Sequence, residues 1–358
     1  MNTKLFFNLS ALALAVSFSS CKKHDPEPAP VIPPVAGYDN GVFITNEGPF
    51  GSGTGTVSYF SRSSSGVTND IFNTKNSYPL GNIVQSMEIF NGKGYIVVNN
   101  ASKVEIVDAS SFASNGVISG LTNPRYFLGI DNGKGYVSEW GTGGVAGAIK
   151  VIDLSTKTVT ATIITGKGAE GMVKAGNNVY VACSGGFDND SVVTVINTTT
   201  NAVVANINVG ANPKSIKVDA NGKIWVLCSG QIGTYPNLIK TGKLVRIDAS
   251  TNTVDLSLPF SSTTSQPSNL VTNNSKTSLF YSYDGKVYSH LASANVLNST
   301  ATINRSFYGL GIDPTNDYFY GSDAGDFASN GKVIRYNSTG TVVDSITVGV
   351  IPGNFCFK

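Results

Sequence analysis

The stretch Lys150-Val151-Ile152-Asp153-Leu154-Ser155-Thr156, followed by Val159-Thr160-Ala161-Thr162-Ile163, returns as Thr194-Val195-Ile196-Asn197-Thr198-Thr199-Thr200, followed by Val203-Val204-Ala205-Asn206-Ile207. Short β-branched runs joined by a polar, Asx-containing turn read as paired strands. Each copy is preceded by an aromatic segment, Gly135-Tyr136-Val137 in the first and Val179-Tyr180-Val181 in the second. Working outward, equivalent aromatics stand at Phe43, Tyr95, Tyr136, Tyr180, Trp225, Phe280 and Phe319, at spacings of 52, 41, 44, 45, 55 and 39 residues. A period near ~40 to 45 residues is that of a four-stranded propeller blade, and seven copies predict seven blades.

The two ends of the chain predict how the ring closes. The repeat opens midway, at Gly41-Val42-Phe43-Ile44, and the chain finishes with Ile351-Pro352-Gly353-Asn354-Phe355-Cys356-Phe357, the inner strand that the first blade lacks. The expected fold is therefore an all-β, seven-bladed β-propeller closed by pairing the C-terminal strand with the N-terminal blade, which leaves no free edge at the seam. No apolar period of 3.6 residues runs for ten or more residues after Ser20, so no long helix is expected.

Composition agrees with this fold and excludes several functions. Among 358 residues there are 25 basic and 23 acidic side chains, a net charge of +2, which lacks the basic stripe of a nucleic-acid binder. Only His24 and His290 are present, and His24 falls before the repeats, which disfavours His-based metal sites and most Ser-His or Cys-His catalysis; His290, after the strand-like run Lys286-Val287-Tyr288-Ser289, is read as a satisfied or solvated side chain. Cys183 and Cys228 occupy equivalent positions in adjacent repeats and Cys356 lies in the closing strand, so all three are read as buried free thiols. No phosphate-binding loop or EF-hand spacing occurs, and neither a cofactor nor catalytic residues are expected.

Residues 1–20 read as a signal peptide, with Lys4 as the positive end and an apolar stretch from Leu5 to Phe18 too short to span a bilayer. The sequence Phe18-Ser19-Ser20-Cys21 resembles a bacterial lipobox, which makes Cys21 the lipid attachment site. Acyl chains hold at about 0.8 kcal/mol per buried CH₂. Residues 21–36 carry five prolines between Pro26 and Pro34 and form a stiff spacer before the propeller of residues 37–358. Lys22 after the cysteine resembles outer-membrane sorting signals, and Asp25 with Glu27 resemble a surface-export tag. The expected place is the outer membrane, lipid-anchored at the cell surface, with its periplasmic face as the alternative.

Aligning the segment that leads into each repeat gives a ring of seven residues at one mouth of the central channel: Gln85, Arg125, Glu170, Lys214, Ser268, Tyr308 and Gly353. Framework positions repeat while this ring varies, as an asymmetric binding site requires. The competing reading is that Arg125, Glu170 and Lys214 simply neutralise one another in water. Tyr126, Asn269 and Asn354 add hydrogen-bonding groups beside the ring, and Trp140, Phe187, Tyr235 and Phe327 sit in the loops expected to open on the same face. Aromatic faces beside polar tips suit ligand capture. Asp188 with Asp190, and Asp323 with Asp326, are read as solvated loop acids in preference to a Ca²⁺ site.

The repeat unit resembles that of the YVTN-type, YncE-like seven-bladed propellers, over about residues 37 to 358, and the lipoprotein signals resemble the DUF5074-like surface propellers of Bacteroidota. That resemblance implies a non-enzymatic, lipid-anchored protein that binds a ligand on its channel face. It names a corrinoid as the ligand and a TonB-dependent outer-membrane transporter as the partner. The alternatives are a scaffold for envelope protein or glycan, or a cofactor-dependent propeller enzyme of lactonase or quinoprotein type, since one architecture carries many activities.

Overall fold

The computed structural model describes residues 37–358, so the readings placed on residues 1–36, including the signal peptide, Cys21 and the spacer, lie outside the described residues. The repeat motif shows why the chain turns where it does. In each of four blades an Asx side chain accepts hydrogen bonds from backbone N–H groups two or three residues on, at Asp108, Asp153, Asn197 and Asp248. Four residues after each comes a left-handed residue: Phe112, Lys157, Asn201 and Asn252. This Asx-anchored turn joins the third strand of a blade to its fourth.

Seven antiparallel four-stranded sheets result, and the expected architecture is found. Their inner strands are Pro352–Phe357, Val84–Phe90, Pro124–Asp131, Ala169–Ala175, Pro213–Val218, Ser268–Thr272 and Leu310–Ile312, which define blades one to seven. Blade one closes the ring: Pro352–Phe357 pairs antiparallel with Gly41–Asn46. The seven repeat aromatics all fall in second strands, and all but Phe280 are buried. Two of the tyrosines among them reach across blades, with the Tyr136 hydroxyl donating to Asn201 at 2.5 Å and that of Tyr180 to Asn252 at 2.6 Å. Apolar clusters between neighbouring blades form the core, for example Val193, Val195, Ile216, Val226 and Val245 between blades four and five.

An ion pair strengthens the seam. Arg62, after the third strand of blade one, donates from Nε and Nη2 to both oxygens of the buried Asp313 in blade seven, at 2.6 and 2.9 Å, and from Nη1 to the backbone oxygen of Lys358.

Two features depart from the sequence reading. A six-residue helix, Ile71–Asn76, buries Ile71 and Phe72 beside blade one, whose outer strand Val67–Thr68 is only two residues long. It is too short to show a helical period. His290 is neither solvated nor hydrogen-bonded: it is buried against Trp225, ring centroids 5.1 Å apart, and neither ring nitrogen meets a partner among the described residues. The three cysteines of the propeller are free and buried, as expected, and burial pushes the Cys228 thiol up to about 12.

Candidate functional site

The entry into each inner strand follows a common local design. In five blades the residue two places before the ring position has a left-handed backbone: Ile83, Asn123, Gly168, Asn212 and Ile351. Asn and Gly tolerate that conformation, whereas for a β-branched Ile it is strained. A bulge follows at the ring position itself. The ladder shifts register at Gln85, Arg125, Glu170 with Gly171, Lys214 and Gly353, and in blade six at Asn269 with Leu270. A bulge puts two residues opposite one and re-aims the extra side chain. Here it turns the variable residue toward the channel.

All seven ring residues line one cavity of about 720 Å³ at this mouth, together with Tyr126, Asn269, Asn354, Trp140 and Phe187. Blades three and four supply a charged cluster. Arg125 faces Glu170 with Nη2 to Oε1 at 3.2 Å and Nε to Oε2 at 3.3 Å, and its Nη1 donates to Gln85 Oε1. The guanidinium lies 4.3 Å over the Trp140 ring, and Trp140 Nε1 donates to Glu170 Oε1 at 3.1 Å. Phe187 meets Trp140 edge-on at 5.2 Å while remaining 78% exposed. Gly144 makes that approach feasible, because a Cβ there would stand 2.2 Å from the Phe187 ring.

Across the mouth, Tyr308 donates its hydroxyl to Glu47 at 3.0 Å, and burial raises the Glu47 carboxyl above its ordinary range. Asn269 donates to the backbone oxygens of Phe307 and Tyr308. Burial pushes the Tyr126 phenol up to about 12, so it stays protonated. Among the described residues, Tyr126, Lys214, Ser268 and Asn354 spend no side-chain hydrogen bond on the protein. Polar groups left open toward a cavity are what a ligand uses for orientation.

Two loop aromatics do not line the cavity. Tyr235 stands 83% exposed in a small hairpin, Gln231–Ile232 with Leu238–Lys240, which projects from blade five. Phe327 rests edge-on against Tyr308 at 5.7 Å, behind the lining. The loop acids are engaged by the protein itself: Asp188 pairs with Lys167 at 2.5 Å, Asp323 with Arg305 at 2.5 Å, and Asp326 accepts from Ala328 and Ser329 N–H groups of its own loop.

Sequence reasoning missed a second level of the channel. At the register position facing the second-strand aromatics, the inner strands carry Cys356, Glu88, Leu128, Val173, Lys217, Val271 and Ile312. Five are apolar or thiol, and the two charged ones, Glu88 and Lys217, line the cavity. Burial pushes the Glu88 carboxyl up to about 7 and the Lys217 ammonium down. Glu47 was also missed. The available signal was that Glu88 and Lys217 each stand three residues after a ring position, an offset that only the bulge explains.

The fold has wide company. A hydrazine synthase of Kuenenia stuttgartiensis matches with a TM-score of 0.60 and 16% identity, over 76% of this chain and 88% of that one. A quinoprotein alcohol dehydrogenase-like protein of Bacteroides thetaiotaomicron gives 0.64 and 16%, over 90% and 79%. A periplasmic gluconolactonase of Pseudomonas aeruginosa gives 0.65 and 10%, over 88% and 98%. At these identities the likeness concerns the fold alone. No curated protein matches the chain. A family model described as a domain of unknown function, DUF5074, matches residues 40–355, from the first strand of the ring into the one that closes it, and the chain belongs to that family.

Proposed function

We propose that this propeller is a binding protein that captures a ligand at the bulged mouth of its channel. The observation that carries the reading is the convergence of all seven ring residues on one cavity, with Tyr126, Lys214, Ser268 and Asn354 open to it. A cavity of this size suits a small or medium molecule. In its specific form the proposal is a lipid-anchored outer-membrane protein, attached through Cys21, that takes up a corrinoid and passes it to a TonB-dependent transporter. The sequence signals at residues 1–36 and the repeat resemblance support that form.

Calorimetric titration of the full chain with cyanocobalamin tests it. One-to-one saturation at submicromolar strength is expected, with at least a tenfold loss on combined Tyr126→Ala and Tyr308→Ala substitution. Absence of binding removes the corrinoid, and binding indifferent to the two tyrosines removes the site.

A further inference from the structure

The charges of the channel are sorted by wall. In a ring of seven, blade five stands opposite the seam between blades one and two. Glu47 follows the strand Gly41–Asn46 of blade one and Glu88 lies on the inner strand of blade two, whereas Lys214 and Lys217 both lie on the inner strand of blade five. All four line the cavity. Glu88 and Lys217 occupy the same register position, opposite Tyr95 and Trp225, so they stand at one depth. Lys214 marks the level of the mouth above them.

Among the described residues none of these four has an opposite charge within 4.0 Å. The same cavity does pair Arg125 with Glu170, so the fold can join charges where it brings them together. Lys214 is exposed and Glu47 accepts from Tyr308, whereas Glu88 and Lys217 are half-buried, desolvated and meet each other only through space, and such charges are costly to keep. An apolar ring that carries only one carboxylate and one ammonium, on facing walls, has the layout of a receptor for the opposite pair.

We propose that the channel selects a zwitterionic ligand group, with its ammonium on the Glu47 and Glu88 wall and its carboxylate on the Lys214 and Lys217 wall. The inference rests on the channel mouth being a binding site, and it is independent of the corrinoid. Recognition of both ends gives specificity, because a ligand lacking either charge covers Glu88 or Lys217 without pairing it.

The test uses the full chain and three probes: leucylleucine, its N-acetyl form and its C-terminal amide. The free dipeptide is expected to bind at least tenfold more tightly than either blocked form. Glu88→Gln should abolish its advantage over the N-acetyl form, and Lys217→Met its advantage over the amide. Glu88→Asp and Lys217→Arg should retain part of each advantage, and a urea midpoint for every variant shows that it folds. Blocked forms binding within twofold of the free dipeptide would overturn the charge assignment while leaving the mouth as a site. No saturable binding of any probe also overturns it, and cyanocobalamin titration of the same preparation then reports on the mouth separately.

Discussion

Single side chains at the mouth already carry measurable consequences. Glu170 is 4% exposed and depends on Arg125 and Trp140 for its partners. Arg125→Met should lower stability by about 2–3 kcal/mol in urea unfolding, somewhat less than a fully enclosed pair because the cavity admits water. Glu88 gives a pH signature. Its folded carboxyl is raised to about 7 from 4.5, so its contribution to stability is intact below pH 4.5 and is lost as pH rises through about 7. Glu88→Gln should therefore stabilise the protein at pH 8 by roughly 2 kcal/mol relative to its effect at pH 5. His290 has the opposite sign: burial holds it below its ordinary 6.5, so stability is retained above that value and lost as pH falls beneath it. His290→Phe should flatten the acid limb of the stability profile. At this scale the ring residues were legible because repeat alignment needs only register. His290 was not, since nothing in Val287-Tyr288-Ser289-His290 says that Trp225 from another blade covers it.

At the scale of elements, strand identity was legible and strand irregularity was not. The β-branched runs, the Asx turns and the repeat aromatics all announce themselves in local sequence. A bulge does not, because it depends on pairing with the second strand, and a one-residue offset moves every later side chain to the other face. That is why Gln85 and Lys214 were found and Glu88 and Lys217, three residues beyond them, were passed over. The loops show the same limit: Trp140 and Phe187 reach the cavity and Tyr235 does not, a difference set by a hairpin whose strands are only two and three residues long. The entry turn makes its own prediction. Asn212 combines a left-handed backbone with hydrogen bonds from Nδ2 to Gly230 O and Asn189 Oδ1, both at 2.9 Å. Asn212→Val should cost about 2 kcal/mol in thermal or urea unfolding, and should displace Lys214 at the following bulge.

The whole molecule is a ring whose integrity depends on one seam and whose site depends on the ring. Closure was legible because the chain ends with the strand that its first repeat lacks; the Arg62 to Asp313 pair that reinforces it was not, since 251 residues separate the partners. Arg62→Met leaves a buried carboxylate uncompensated and should cost about 3 kcal/mol in urea unfolding. Cell address belongs to this scale as well: the proposed lipid anchor predicts that Cys21→Ser shifts the protein from the membrane to the soluble envelope fraction and abolishes palmitate labelling. The central claim is that ligand binds where the seven inner strands begin, and Trp140 offers a direct reporter there. It is one of two tryptophans, and the other, Trp225, is buried in the core. Intrinsic fluorescence should be followed during titration with cyanocobalamin and leucylleucine, in the native chain and in Trp140→Phe. Binding at the mouth predicts a saturable emission change with the calorimetric midpoint that disappears in Trp140→Phe. Calorimetric saturation with no Trp140-dependent change would contradict it.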